Sequence, residues 1–424
     1  MAGSGGHLRA DTGTDLDRMH HTAHGSACVT AGQGGVRLRH VRRREPDPLV
    51  RIFLDRRIRA ALGATGRAER VLPADYVNLG GIVISRLRAL CTALVVTLVA
   101  SGPIASAATY TVTDLGTLGG SRSYAAAINA RGDVVGYSTL AGDSAAHAFL
   151  YQSRHGRMID LDPRGAGGSS GAWAINDRGR IAGDIAVGAG FHAALFVHGR
   201  IIDLGTPPGF PSAFAVAINH AGDVLLQVEV GYASVEGFLL HHGRLVAVPI
   251  TSVLGLNDRR QVVGSVGLPG PQTAVVFRGN AVTGVPGLGG QLGSVATAIN
   301  ARGDIAGGYE DGSTGGAFLE RGGVLTDLGA LPGGAFTVAL ALNSRDQVVG
   351  YAFGIGSGVG HAFLYDAQLD PPMQDLNDLI PPDSGIVFDQ ATGINDRGNI
   401  VGIGTVGQFP PFHAFLLSPK LSSP

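Results

Sequence analysis

Apolar and polar positions follow one another in short runs along this chain, and one phrase returns seven times. It consists of an apolar residue, an asparagine, a short polar turn and a hydrophobic pair. The asparagines are Asn129, Asn176, Asn219, Asn257, Asn300, Asn343 and Asn395. Successive asparagines are 47, 43, 38, 43, 43 and 52 residues apart. Such a period is typical of repeat architectures, in which each supersecondary unit buries its apolar faces against its neighbours.

The first copy of the repeat, residues 110–151, divides into four runs separated by turn residues. Residues 110–115 alternate polar and apolar, residues 124–128 are small and apolar, and two further runs follow at 134–137 and 147–151. Each run has the length of a strand and is too short for a helix. The 67 glycines of the chain also suit many tight turns. The sequence therefore predicts an all-β protein.

The turn that follows each asparagine has the pattern Asn-x-x-Gly between two apolar runs. This pattern predicts a type I turn whose last residue is left-handed, with the asparagine side chain accepting backbone hydrogen bonds. Arg260 and Asp346 replace the glycine in two copies. A ring of ligands is the alternative role for the seven asparagines. We favour structural repeat turns, because the turn already accounts for the residue.

Four strands in each of seven repeats predict a seven-bladed β-propeller of four-stranded blades. The repeat region begins at 110–116 with a strand of the first-run type, which is expected to be the outermost strand of a blade. It ends at 413–417 with a strand of the fourth-run type, and no outermost strand follows it. The N-terminal strand is therefore expected to complete the last blade and close the ring, which leaves no exposed sheet edge. An open β-solenoid is the alternative architecture.

A targeting segment precedes the repeats. Arg86 and Arg88 are followed by an apolar run at 89–100 and by the small-residue site Ala105-Ser106-Ala107, which is typical of a secretory signal peptide. We interpret 83–107 as this signal, 108–418 as the propeller and 419–424 as a tail. Because a signal belongs at the N-terminus, residues 1–82 are interpreted as over-extended translation or a disordered leader.

The alternative for this segment is a signal anchor that spans the membrane, and only then is a membrane a partner. Both interpretations place the repeats outside the cytoplasm, so we expect a secreted, periplasmic or cell-surface protein.

Charge and cysteine content exclude several classes of function. From residue 108 onward the chain has 17 Lys and Arg against 25 Asp and Glu, so it offers no electrostatic reason for nucleic-acid binding. Cys28 and Cys91 both precede the repeats, which excludes thiolate metal or redox chemistry within them. We expect no cofactor and no metal.

Three copies of the fourth run begin with the same residues, His-Ala-Phe-Leu, at 147–150, 361–364 and 413–416. Together with Asp114-Leu115-Gly116 and Ile128-Asn129, they resemble the bacterial HAF-repeat family of predicted extracellular proteins. The resemblance covers about residues 110–417, and it implies an extracellular repeat protein without implying a reaction. Copies three to five depart from it with Glu236-Gly237-Phe238, Thr273-Ala274-Val275 and Gly316-Ala317-Phe318.

Repeated histidines and aspartates are the first candidates for chemistry. Four histidines lie at equivalent positions, each near the start of a fourth run: His147, His192, His361 and His413. Equivalent positions on separate blades lie too far apart for one metal ion, so we expect hydrogen-bonded packing histidines. The aspartates Asp114, Asp160, Asp203 and Asp327 are expected to bond nearby backbone amides at the start of loops. No nucleophile elbow or zinc-protease motif occurs, and no catalytic residue is assigned.

The remaining connections vary from copy to copy and are expected to share one face of the propeller. Such variation usually marks the binding face of a repeat protein. The candidate binding residues are Phe210, Tyr232, Tyr309, Glu310, Asp311, Phe336, Asp383, Asp389 and Phe409. We expect a monomeric, non-catalytic binding or scaffold module for a protein or glycan partner. The alternatives are a polysaccharide-acting hydrolase or lyase, which needs two converging carboxylates, and a structural surface protein.

Overall fold

A computed structural model describes residues 109–420 except 231–233, 268–270, 289–292, 355–359 and 408–411. These residues belong to a compact domain that spans Val96–Pro424. The leader and signal segments of the sequence interpretation lie outside the described residues. Within the described part of the chain, no helix is long and apolar enough to cross a membrane.

Strands make up nearly all of the regular structure. The first nine are β1 Tyr110–Asp114, β2 Gly119–Ile128, β3 Val134–Leu140, β4 Ala146–Gln152, β5 Arg157–Asp160, β6 Ser170–Ile175, β7 Ile181–Val187, β8 Gly190–Val197 and β9 Arg200–Gly205. The next eight are β10 Ala213–Ile218, β11 Val224–Val230, β12 Ser234–His241, β13 Arg244–Val248, β14 Ser252–Leu256, β15 Val262–Val266, β16 Thr273–Arg278 and β17 Ala281–Gly284.

The remaining strands are β18 Gly293–Ile299, β19 Ile305–Asp311, β20 Thr314–Arg321, β21 Val324–Gly329, β22 Phe336–Leu342, β23 Val348–Phe353, β24 His361–Tyr365, β25 Met373–Asp375, β26 Ile386–Ile394, β27 Ile400–Val406 and β28 Phe412–Pro419. Three short 3₁₀ helices lie at Gly165–Gly167, Leu376–Asp378 and Pro382–Ser384. The prediction of an all-β protein is confirmed.

Consecutive strands pair in antiparallel groups of four. We number the groups in chain order: unit 1 is β2–β5, unit 2 is β6–β9, unit 3 is β10–β13, unit 4 is β14–β17, unit 5 is β18–β21 and unit 6 is β22–β25. Units 5 and 6 form one eight-stranded sheet, because Gly315 of β20 pairs in parallel with Phe336 of β22. Unit 7 contains β26–β28 and, beside β28, the strand β1.

The pairing of β1 with β28 brings the two ends of the described chain into one sheet. It is antiparallel, with Val112 opposite Leu417. Ser123 of unit 1 adds a second contact between these regions, because its hydroxyl accepts a hydrogen bond from the Ala414 backbone N–H of unit 7 at 2.9 Å. Buried Phe149 of unit 1 belongs to the same apolar cluster as Val401 of unit 7. Units 1 and 7 therefore pack against each other.

The first strand of every unit contains a bulge, and in six of the seven units a glycine faces it in the second strand, whereas unit 3 has Leu226 there. In unit 1 the register shifts between Ala125 and Ala127. A Cβ atom on Gly136, in the facing strand, would lie 1.8 Å from the Tyr124 carbonyl oxygen. Such a distance is impossible for any side chain, so the strand approach requires glycine here. The same conflict arises at Gly183, Gly264, Gly307, Gly350 and Gly402.

The apolar core lies between neighbouring sheets. The phenylalanines of the third strands fill it: Phe149, Phe318, Phe363 and Phe415 are fully buried. Alanine precedes each of them and is also fully buried, because it lies on the opposite face of the strand against the other neighbour. A strand that contains the His-Ala-Phe motif is therefore buried on both faces.

Candidate functional site

The seven asparagines lie buried in the turns that connect the first and second strands of the units. In unit 2 the Asn176 Oδ1 accepts hydrogen bonds from the backbone N–H groups of Arg178 at 3.1 Å and Arg180 at 3.0 Å. Arg260 and Asp346 adopt the left-handed conformation, with φ of 59° and 63°. The turns thus have the geometry that the sequence predicted.

The asparagine side chains also link one unit to the next. In six copies the Nδ2 group donates to the backbone carbonyl of the following asparagine in the series. These bonds run from Asn176 to Asn219, Asn219 to Asn257, Asn257 to Asn300, Asn300 to Asn343, Asn343 to Asn395 and Asn395 to Asn129, with N···O distances of 3.0 to 3.4 Å. Asn129 donates instead to Asp133 Oδ2 at 3.3 Å. These hydrogen bonds engage the polar side-chain atoms of the asparagines. The asparagines therefore have a structural role in the turns and between the units.

Arginine and aspartate side chains add a second set of links on the same face, which we call the asparagine-turn face. Arg131 Nη1 donates to the Asp177 carbonyl at 2.5 Å, and the Ala130 N–H donates to Asp177 Oδ1 at 2.8 Å. Arginine stands two residues after the asparagine in six of the seven copies. Sequence analysis missed this role, although the repeated Asn-x-Arg signal was present.

The opposite face carries the connections between the second and third strands and between successive units. We call it the loop face. Four histidine–aspartate pairs lie beneath it, joined through the histidine Nδ1. The pairs are His147 with Asp160 at 2.9 Å, His192 with Asp203 at 3.0 Å, His361 with Asp375 at 2.5 Å and His413 with Asp114 at 2.8 Å.

The aspartates of these pairs also bond backbone amides, as the sequence predicted. The Gly116 N–H donates to Asp114 Oδ1 at 2.8 Å, and the Gly205 N–H donates to Asp203 Oδ1 at 2.7 Å. Each histidine is thereby tied to the first residues of a loop. The described residues contain no group of three or more His, Cys, Asp or Glu side chains that could hold a metal ion.

Tyr309, a predicted binding residue, occupies the place of a missing histidine. Unit 5 has Gly316 where four other units have histidine, and Tyr309 lies opposite this glycine in the register of β19 and β20. A Cβ atom on Gly316 would lie 2.6 Å from the Tyr309 hydroxyl oxygen, so the phenol lies directly over this glycine. The hydroxyl donates to Asp327 Oδ2 at 2.9 Å. Burial, followed by the Asp327 contact, raises the pKa of Tyr309 to about 12.

The other predicted binding residues are distributed over several units. Phe210 packs edge-on against Phe238 in unit 3, with ring centroids 5.6 Å apart. Phe336 begins β22, and its ring lies over Gly315, next to the end of β19.

Glu310 and Asp311 are the last residues of β19, so they belong to a strand and not to the loop where the sequence placed them. Asp383 is exposed in a 3₁₀ helix. Tyr232 and Phe409 lie outside the described residues. The structure thus brings Tyr309, Glu310 and Asp311 close to Phe336 and leaves Phe210 and Asp383 apart from them.

Asp389 differs most from its sequence interpretation. It lies inside β26 and not in the preceding loop, because two 3₁₀ helices shorten that loop. Its residue is only 7% exposed, and neither carboxylate oxygen has a hydrogen-bond partner among the described residues. Burial raises the pKa of Asp389 to about 7, and a positive charge on His361 opposes this shift.

The equivalent position in other units shows why this carboxyl is unusual. Six residues before the repeat asparagine, unit 1 has Ser123, unit 2 has Ser170 and unit 5 has Ser294. The hydroxyls of Ser170 and Ser294 accept hydrogen bonds from the backbone N–H groups of Ala148 and Ala274 in the preceding units, both at 3.0 Å. Asp389 therefore replaces an inter-unit hydrogen bond with an unpaired carboxyl group. A raised pKa suits an acid catalyst, but these oxygens are out of contact with solvent and hence with any substrate.

An aromatic wall that the sequence did not indicate lies at the junction of units 1 and 2. Tyr124 and Tyr137 stack with ring centroids 5.3 Å apart and an interplanar angle of 10°. Trp173 meets Tyr137 edge-on at 5.7 Å. All three side chains are half-buried. The Trp173 Nε1 group donates to Asp184, a fully enclosed carboxylate whose pKa burial raises to about 7.

No family model and no curated protein sequence matches this chain. Among solved structures, it is similar to the oligogalacturonate lyase from Vibrio parahaemolyticus, with 9% identity over 72% of this chain and 93% of the lyase and a TM-score of 0.51. It is also similar to the β-propeller domain of the trilobed protease from Pyrococcus furiosus, with 8% identity over 58% of this chain and 79% of that domain and a TM-score of 0.43. The likeness to the lyase concerns the fold alone, and it supports a β-propeller.

Proposed function

We propose that this protein is a closed seven-bladed β-propeller that works outside the cytoplasm as a non-catalytic binding module. Each unit is one blade, the loop face carries the binding surface, and the partner is a protein or a glycan. The chain is a monomer in this proposal and belongs with the HAF-repeat proteins that it resembles.

Three contacts between the ends of the repeat region support closure. β1 pairs with β28 over five residue pairs, Asn395 Nδ2 donates to the Asn129 carbonyl at 3.0 Å, and Thr392 Oγ1 donates to the Ala125 carbonyl at 2.8 Å. The last two contacts repeat, between units 7 and 1, bonds that also join consecutive units elsewhere. Closure would leave each unit with a neighbour on both sides, which removes the exposed sheet faces of an open array.

The observation that carries the binding role is the difference between the two faces. On the asparagine-turn face the polar side chains are engaged with neighbouring units. On the loop face, exposed Val406 and Phe412 lie at the ends of strands that flank a connection, exposed Asp383 lies within another, and these connections differ from unit to unit. A surface free to vary on a fixed scaffold is where repeat proteins bind their partners.

The proposed location outside the cytoplasm rests on the targeting segment at 83–107. N-terminal sequencing of the protein recovered from the medium or periplasm tests it. We expect a mature N-terminus near Ala108. Peptides from 1–80 in the exported protein would contradict the interpretation of the leader.

The binding role is tested by screening the full chain on a glycan array and by cross-linking it to envelope and culture-supernatant proteins. The same screens are run with two multiple variants. One changes the loop-face residues Phe412, Asp383 and Asp311 to serine, and the matched control changes the exposed Arg244 and Val324 on outer strands to serine. Partner binding that only the loop-face variant loses supports the proposal. Equal binding by both variants would overturn it.

A further inference from the structure

The aromatic wall of units 1 and 2 consists of Tyr124, Tyr137 and Trp173, with Asp184 behind it. We propose that this wall is a carbohydrate subsite that binds one ring of a neutral oligosaccharide. The inference rests on the proposed binding function and assigns a ligand class to one place on the propeller.

The indole of Trp173 is fixed on three sides. Its Nε1 group donates to Asp184, and the indole makes an edge-to-face contact with the Tyr137 ring. A Cβ atom on Gly171 would lie 2.8 Å from Trp173 Cζ2, so this position is small enough for the ring to lie over the backbone. An aromatic side chain fixed in this way loses little conformational entropy when it binds a ligand, which favours affinity.

Trp173 is also a departure from the repeat. It occupies the bulge position three residues before the repeat asparagine, where other units have Ala126, Val216, Leu254, Thr297, Leu340 and Thr392. At the same position in two other units, threonine hydroxyls bond the next unit: Thr297 donates to the Ala339 carbonyl at 2.8 Å. Unit 2 replaces this position with the largest side chain, and the ring is half-buried instead of enclosed. Packing alone does not require a tryptophan here.

Asp184 is unusual at its own position as well. The equivalent residues of the other second strands are Tyr137, Gln227, Ser265, Gly308, Tyr351 and Ile403. A buried carboxylate is costly unless it has partners, and Asp184 receives the indole N–H. Its role in the subsite is therefore to hold the orientation of the ring that contacts the ligand.

The polar groups beside the wall suit hydroxyl groups. Arg122 precedes Tyr124 by two residues in β2. Arg122 is exposed. Nearby Asp143 accepts hydrogen bonds from the Ser121 N–H at 2.7 Å and hydroxyl at 2.8 Å, contacts that lower its pKa to about 2 and keep it charged.

One cation and one anion, Arg122 and Asp143, lie close to each other beside the strand that carries Tyr124, and they offer both a donor and an acceptor without a net charge. A neutral sugar matches this arrangement. The C–H groups on one face of its ring are apolar and stack on an aromatic side chain, while its hydroxyls extend sideways to polar groups. The combination of a few polar groups with aromatic walls is typical of small-ligand sites.

The test uses the fact that Trp173 is the only tryptophan of the chain. Its fluorescence in the full-length protein is followed during titration with maltohexaose, cellohexaose and chitohexaose, and with a decaproline peptide as the competing ligand class. We expect a saturable change in emission with at least one hexasaccharide and none with decaproline. No response to any hexasaccharide, or a response to decaproline alone, would overturn the proposal.

Calorimetry with the responding hexasaccharide then compares variants. We expect Trp173→Ala to weaken binding about 30-fold or more, as for an aromatic hot spot. Trp173→Phe, which keeps a ring for folding, is expected to weaken it less. The matched control is Phe353→Ala, which removes one ring of the aromatic pair Tyr351–Phe353 in unit 6, whose centroids are 4.7 Å apart. An equal loss in the control would exclude a specific site in units 1 and 2.

The two proposals can fail separately. If the hexasaccharides do not bind but the loop-face variant still loses a partner in the screens, the sugar subsite is wrong and the binding role remains. If neither the hexasaccharides nor the screens identify a ligand, both proposals fall.

Discussion

The two faces of the molecule use similar residue types in opposite ways. On the asparagine-turn face, asparagine, arginine and aspartate recur at fixed positions, and their polar groups bond the next unit, as Asn176 and Arg131 do. On the loop face, the position of Ser123 and Ser170 is taken by Asp389 in unit 7, and the position of His147 by Gly316 in unit 5. Repetition is thus kept where side chains join one unit to the next at the asparagine turns, and it is lost at several buried positions beneath the loop face.

The largest loss of stability is expected when one asparagine of the asparagine-turn face is replaced. The Asn343 side chain accepts from the N–H groups of Arg345 and Gln347 and donates to Gln347 and to the Asn395 carbonyl. Asn343→Ala leaves buried groups unpaired, so it should lower the free energy of unfolding by about 4 to 5 kcal/mol. Urea denaturation measures this change. Asn280→Ala, at an exposed turn outside the motif, is the control and should change it by less than about 0.5 kcal/mol.

The next effect concerns Asp389 and depends on pH. The ordinary pKa of an aspartate is 3.8, and burial raises that of Asp389 to about 7. The folded state then holds a proton that the unfolded chain releases, so stability falls as pH rises from about 4 to about 7. Asp389→Ser should leave stability unchanged near pH 4 and raise it by about 4 kcal/mol at pH 8.

Denaturation midpoints at pH 4, 6 and 8 measure this difference. The control is Asp383→Ser, which removes an exposed carboxyl of the same loop region. A parallel pH dependence in the wild type and the Asp389→Ser variant would show that this carboxyl is not the group that titrates. Asp184, which remains in the variant, contributes a fall of the same sign.

A smaller effect should follow from the substitution within unit 5. Tyr309→Phe removes the hydrogen bond to Asp327 and should cost about 1 kcal/mol. The double variant Tyr309→Ala with Gly316→His should restore the histidine–aspartate pair of the other units and recover much of the loss that Tyr309→Ala causes alone. Thermal unfolding of the three variants measures this. If the added histidine gives no recovery, Tyr309 is not the substitute for the missing histidine.

The smallest effect on stability is expected at exposed loop-face residues. Phe412→Ser removes a side chain that is 38% exposed, and it should change the free energy of unfolding by less than about 0.5 kcal/mol. Partner binding should fall in the same variant. A large loss of stability would mean that this side chain supports the fold and is not available for binding.

Most of the features that the sequence predicted well are local. The asparagine turns need only residues within one short segment, so the spacing of Asn129 and its counterparts was sufficient to locate them. The pairing of β1 with β28 also followed from strand order. The placement of Asp389 in a strand was not predictable, because it depends on how two 3₁₀ helices fold the preceding segment.

Contacts between distant residues account for the other misses. The contact of Tyr309 with Asp327 depends on the absent side chain of Gly316, 7 residues away across a hairpin. Trp173 and Tyr137 belong to different units and meet only after the sheets pack. The sequence prediction relied on residues that recur at the repeat period. The aromatic wall consists of residues that depart from the repeat, so this period did not indicate it.

The unpaired carboxyl at the junction of units 6 and 7 has a consequence for the order of unfolding. Three serines join other units because their hydroxyl groups accept hydrogen bonds from backbone N–H groups, whereas ionisation of Asp389 places a charge without hydrogen-bond partners between two packed sheets. In alkaline solution this junction is the weakest contact between units. Hydrogen exchange should begin there, so one residue gives a nearly uniform set of units a defined place at which to separate.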